Sequence, residues 1–120
     1  MSTAESTKEL LSRYYEGLSG QAGWDEILAE DLLLSGTVAR ESKGREAYKT
    51  NNFFKLVRGH RVKEVMTEGA KGFALVNYDL ASPKGKTWAC DVAEFWKAKD
   101  GKLGSVAIYF DTAAFANFLA

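Results

Sequence analysis

A chain of 120 residues makes one domain, 1–120, with room for a single core. Its 46% apolar and 12% aromatic content excludes a disordered chain. Lys plus Arg and Asp plus Glu are equal at 16 each, which argues against a nucleic-acid partner. The one basic cluster, Arg58, His60, Arg61 and Lys63, is diluted by Glu64 and Glu68 and reads as a solvated strand. A single cysteine, Cys90, excludes an internal disulfide and fits a reducing compartment. Residues 1–12 carry Glu5, Lys8 and Glu9 instead of a long apolar run, and no stretch approaches the ~20 apolar residues of a membrane span. The cytoplasm is the expected location, with no membrane partner.

In chain order, residues 4–19 form a predicted helix with Leu10, Leu11, Tyr14, Tyr15 and Leu18 on one stripe and Thr3 or Ser6 as its cap. Ser19 to Gly23 makes a loop, and Trp24 to Glu30 a short second helix anchored by Trp24. Leu32 to Val38 reads as a strand broken at Gly36, and residues 45–57 as a third helix after Lys43-Gly44. Four strands follow at 59–68, 72–81, 86–98 and 103–111, divided by turns at Gly69, Pro83-Lys84-Gly85 and Asp100-Gly101. Residues 112–119 form a closing helix, with Thr112 as a candidate cap. Helices first and antiparallel strands after make an α+β fold, with helices on one side of a bent sheet.

The central hairpin carries the functional question. A three-residue loop over Pro83-Lys84-Gly85 sets Asn77 opposite Asp91 and Leu75 opposite Ala93. Side-chain alternation then divides two faces. One holds Leu75, Asn77, Asp79, Ala89, Asp91, Ala93 and Phe95. The other holds Val76, Tyr78, Leu80, Trp88, Cys90, Val92 and Trp96, with Glu94 its only charge. Either the polar face lines a cavity and the apolar face meets a partner, or the apolar face is the core and the acids are solvated.

Several segments carry a family resemblance: Leu11-Ser12-Arg13-Tyr14-Tyr15, Ala29-Glu30-Asp31, Gly44-Arg45-Glu46-Ala47-Tyr48, Asp100-Gly101-Lys102-Leu103 and Tyr109-Phe110-Asp111. In this order, over nearly the whole chain, they resemble the nuclear-transport-factor-2-like superfamily, which includes ketosteroid isomerases and SnoaL-type polyketide cyclases. The resemblance implies helices packed on a strongly curved, mostly antiparallel sheet, a cone with an internal pocket, and dimerisation through the opposite sheet face. It turns Leu75, Asn77, Asp79, Ala93 and Phe95 toward the pocket, with Asp91 sharing their face. Val106, Ile108 and Phe110 complete the expected lining. Val76, Tyr78, Trp88, Cys90, Val92 and Trp96 then face a second subunit, making a homodimer the expected assembly.

The resemblance also sets Tyr14 at the position of the isomerases' oxyanion tyrosine. The isomerases' catalytic carboxylate falls on Gly36 here, and their second oxyanion donor, a protonated Asp, falls on Ala93. A ketosteroid isomerase reaction is therefore not expected. The remaining candidate is Asp91 as proton-transfer base, with Asn77 and Tyr14 as hydrogen-bonding partners, acting without a cofactor on a small apolar carbonyl or ring compound. A non-catalytic ligand-binding protein and a protein-interaction module using the aromatic face are the alternatives. One histidine and one cysteine, far apart, give no metal-ligand spacing, and there is no nucleophile elbow or phosphate loop.

Overall fold

The computed structural model describes residues 3–18, 24–37, 42–50 and 52–120, without the side chains of residues 3–5, 24 and 52. The Ser19–Gly23 loop, the expected Trp24 anchor, the candidate cap Thr3 and the Val38 end of the first predicted strand lie outside what is described.

Helix α1 (Thr3–Gly17) follows the predicted stripe: Leu10, Leu11, Tyr14 and Tyr15 are all buried. A 3-10 turn at Trp24–Ile27 replaces most of the second predicted helix, and strand β1 (Leu28–Gly36) begins earlier than expected. Leu28 is fully buried and pairs with Leu103, and that tertiary contact outweighs local helix preference. A two-residue strand β2 (Ser42–Lys43) follows. The third predicted helix is two short ones, α2 (Arg45–Lys49) and α3 (Asn52–Leu56). Thr50 closes α2, its hydroxyl donating to the Glu46 carbonyl at 2.8 Å.

Strands β3 (Val57–Glu68), β4 (Lys71–Ala81), β5 (Thr87–Lys99) and β6 (Lys102–Tyr109) match the four predicted runs. The sheet order is β2-β1-β6-β5-β4-β3, antiparallel throughout except for the parallel β1–β6 pair. The hairpin register is the expected one, with Asn77 opposite Asp91 and Leu75 opposite Ala93. Its loop closes through Ser82 N donating to Lys86 O at 2.8 Å, with Gly85 left-handed at φ 87°. Asp100 and Gly101, at φ 53° and 78°, make the tight β5–β6 turn. Helix α4 (Thr112–Leu119) is capped by Asp111, not Thr112: the carboxylate accepts from Ala114 N at 2.9 Å. The outcome is an α+β fold with helices against one face of a six-stranded sheet.

The two faces are reversed from the sequence expectation. Val76, Tyr78, Leu80, Cys90, Val92 and Trp96 are all buried in the core. Trp88, partly buried, packs under α4 against Phe118, with ring centroids 5.6 Å apart. These residues therefore face the protein's own helices, not a second subunit. Leu75, Asn77, Asp79, Asp91, Ala93 and Phe95 lie on the outer face by strand alternation. The physical reason is burial: the apolar row removes far more hydrocarbon from water than the polar row could, at about 25 cal/mol per Å². Of the expected lining residues, Val106 is buried, and Ile108 and Phe110 pack partly buried against the same core.

Candidate functional site: a buried glutamate among tyrosines

Glu94 stands on β5 in the middle of the inward row and is 2% exposed. A carboxylate in such surroundings must find donors or lose its charge. Two tyrosines supply them. Tyr15, from α1, donates to Glu94 Oε1 at 2.5 Å, and Tyr78, from β4, donates to Oε2 at 2.9 Å. Trp96, two residues along β5 on the same face, donates its indole Nε1–H to the Tyr15 hydroxyl at 2.9 Å. Burial pushes the Glu94 carboxyl up to about 7, against the opposing pull of the two tyrosine donors. The same burial raises the Tyr15 and Tyr78 phenols well above their ordinary value, so both remain protonated donors near neutrality.

Tyr14, also expected inside the pocket, is indeed interior and 0% exposed. Its hydroxyl lies 2.5 Å from that of Tyr48 on α2. The Tyr14 ring sits against Trp96, with centroids 4.7 Å apart, and Tyr48 meets the same indole edge-on at 6.2 Å. Phe53, Phe110 and Phe115, all partly buried, form a cluster beside this set. Phe53 meets Tyr78 edge-on at 5.3 Å and Phe110 at 6.0 Å. His60, expected to be solvated, is half-buried, its Nε2 lying 2.9 Å from the Tyr15 carbonyl oxygen.

Of the residues expected to do the chemistry, Asp91 and Asn77 lie elsewhere. Asp91 accepts from Asn77 Nδ2 at 2.8 Å and from Lys63 Nζ at 3.1 Å, half-exposed on the outer face. Asp79 pairs with Arg61 at 2.9 Å, and Arg61 also donates to Asn77. The Asn77 amide and the Lys63 ammonium hold Asp91 below its ordinary value, and the Arg61 guanidinium does the same for Asp79. A proton-transfer base near neutrality needs the opposite shift, which neither acid has. Gly36, where the isomerases carry their acid, has φ 110°, and a Cβ there would fall on the Ile108 backbone. Cys90 is inert, with burial pushing its thiol up to about 11. Among the described residues no three His, Cys, Asp or Glu side chains converge to hold a metal ion. No described helix is long and apolar enough to cross a membrane.

Known folds match this arrangement over almost its full length. A candidate SnoaL-like polyketide cyclase from Jannaschia sp. CCS1 superposes with a TM-score of 0.84 at 16% identity, covering 98% of this chain and 93% of its own. Bal32a, from a soil-derived mobile gene cassette, gives 0.84 at 19% identity, covering 98% and 99%. TerC, crystallised with polyporic acid, gives 0.75 at 19% identity, covering 94% and 97%. The chain has the nuclear-transport-factor-2-like fold. No family model and no curated protein matches its sequence. At these identities the nuclear-transport-factor-2-like likeness is one of architecture, and the chemistry has to come from this chain's own residues.

Sequence reasoning noted Glu94 as the lone charge of its row but passed over it. The signal was available: an acid in a row of large apolar residues, opposite a helix whose buried stripe carries two adjacent tyrosines.

Proposed function

We propose that this protein holds a small apolar carbonyl or ring compound between helices and sheet, and that Glu94 moves a proton on it without a cofactor. The observation that carries this reading is a fully enclosed carboxylate, braced at both oxygens by tyrosine hydroxyls and titrating at about 7. Such a group is present in both forms at neutral pH and can take a proton from carbon and return it. Tyr14 and Tyr48, bonded hydroxyl to hydroxyl and with phenols that burial raises well above their ordinary value, stay protonated near neutrality, and one hydroxyl of this pair is the proposed donor to a developing enolate oxygen. The proposed route of entry is the partly exposed cluster of Phe53, Phe110 and Phe115, of which Phe53 touches Tyr78.

The test is exchange of α-hydrogens for deuterium in a panel of enolisable ketones in D2O, with polyporic acid as the first binding probe. Glu94→Gln is expected to retain binding and lose exchange by about 10²–10⁴-fold. Exchange at the wild-type rate in Glu94→Gln would refute the assignment. Binding with no exchange in either form would leave the alternative reading, a ligand-binding protein without turnover.

We further propose a homodimer through the outer sheet face. Phe95 and Tyr109 are 48% and 46% exposed there, and Phe95 contacts Phe73 and Tyr109 at 4.9 and 5.9 Å. An apolar aromatic group beside charge-balanced Arg61–Asp79 and Lys63–Asp91 pairs suits a copy of itself.

A further inference from the structure

The two oxygens of Glu94 are not equivalent, and the cause is Trp96. An indole N–H can only donate. The Tyr15 hydroxyl that receives it at 2.9 Å is therefore an acceptor on that side, and its own proton goes to Glu94 Oε1. Glu94 is the one acceptor for that proton among the described residues. A proton on Oε1 would crowd three hydrogens around the Tyr15 oxygen, its own, that of Trp96 and that of Glu94. Tyr78 is under no such constraint. Among the described residues its hydroxyl receives no donor, so a proton on Oε2 would set two hydrogens around the Tyr78 oxygen instead of three, and the hydroxyl can turn from giving to accepting.

We infer that Trp96 is a positioning residue that fixes Tyr15 as a permanent donor to Oε1, so that Oε2, facing Tyr78, is the oxygen that gains and loses the proton. This rests on the proton-transfer reading of Glu94. It adds a direction to it: when Oε2 takes a proton, the Tyr78 hydroxyl is released to turn toward whatever lies beside Phe53. The proton count is conserved, since the proton gained at Oε2 is the one lost by substrate carbon, and the tyrosines only reorient.

The experiment is an NMR titration of the full chain with ¹³C-labelled glutamate carboxyls and ¹⁵N-labelled indoles. In the wild type, the Trp96 indole resonance is expected to shift with the same midpoint as the Glu94 carboxyl, because Tyr15 couples them. Trp88 serves as the internal control. Trp96→Phe is expected to raise the Glu94 midpoint by about one pH unit, by freeing Tyr15 to turn away. Tyr15→Phe is expected to raise it at least as far, and adding Trp96→Phe to Tyr15→Phe should raise it no further. A Trp96 indole insensitive to the Glu94 titration, or additive shifts in the double variant, would overturn the inference. The wild-type coupling decides the question even if Trp96→Phe fails to fold. A Glu94 carboxyl that keeps one state from pH 4 to 9 would remove the proton-transfer reading and this inference together. A normal Glu94 titration without Trp96 coupling would remove the inference alone.

Discussion

Glu94 gains from its tyrosines but loses more by leaving water, and the balance sets how the protein responds to pH. Its carboxyl moves from an ordinary 4.5 up to about 7. The folded state therefore binds the proton more tightly than the unfolded chain. That contribution to stability is complete below about pH 4.5 and is lost as pH rises through about 7, about 3 kcal/mol in all at ~1.4 kcal/mol per pH unit. Urea unfolding at pH 5 and pH 8 is expected to show the wild type weaker at pH 8. Glu94→Gln, which cannot ionise, should flatten the difference and be the more stable of the two at pH 8. A wild type equally stable at both would mean that the glutamate does not titrate in this range.

The elements were largely legible in the sequence. The apolar stripe of α1, the Pro83-Lys84-Gly85 loop and the Asp100-Gly101 turn each follow from local chemistry, and the Pro83-Lys84-Gly85 loop sets the β4–β5 register correctly. What local chemistry cannot supply is the direction of a face. Alternation divides Asp91 from Trp96 with certainty, but which one meets α1 depends on residues far away in the chain, Tyr14, Tyr15 and Tyr48. The early start of β1 and the existence of β2 were hidden for the same reason, since both are defined by their pairing partners. Two variants separate the faces. Asp91→Asn, on the solvated side, is expected to leave the thermal midpoint and any deuterium exchange unchanged, and a loss of exchange would return that acid to the mechanism. Gly36→Ala, at φ 110° against Ile108, is expected to cost about 3 kcal/mol or more in urea unfolding, and near-wild-type stability would contradict the close β1–β6 approach.

For the whole molecule, the reversal of the faces moves the expected partner surface but not the expected partner. Tryptophans at the centre of the protein cannot hold two chains together, whereas Phe73, Phe95 and Tyr109 remain available on the outer face. Phe95→Asp should convert a sedimenting dimer to a monomer while leaving the far-ultraviolet spectrum intact. A wild type that sediments as a monomer at high concentration would exclude self-association.

The parallel pairing of β1 with β6 has a consequence for how the chain is made. On the β6 edge of β1, Leu28 and Leu34 stay without Leu103 and Val106 until some seventy residues later, with only the two-residue β2 pairing on the other edge available earlier. A nascent chain thus carries an apolar strand with one open edge for most of its synthesis, and closure of the sheet is a late event of high contact order. The last strand to emerge completes the first.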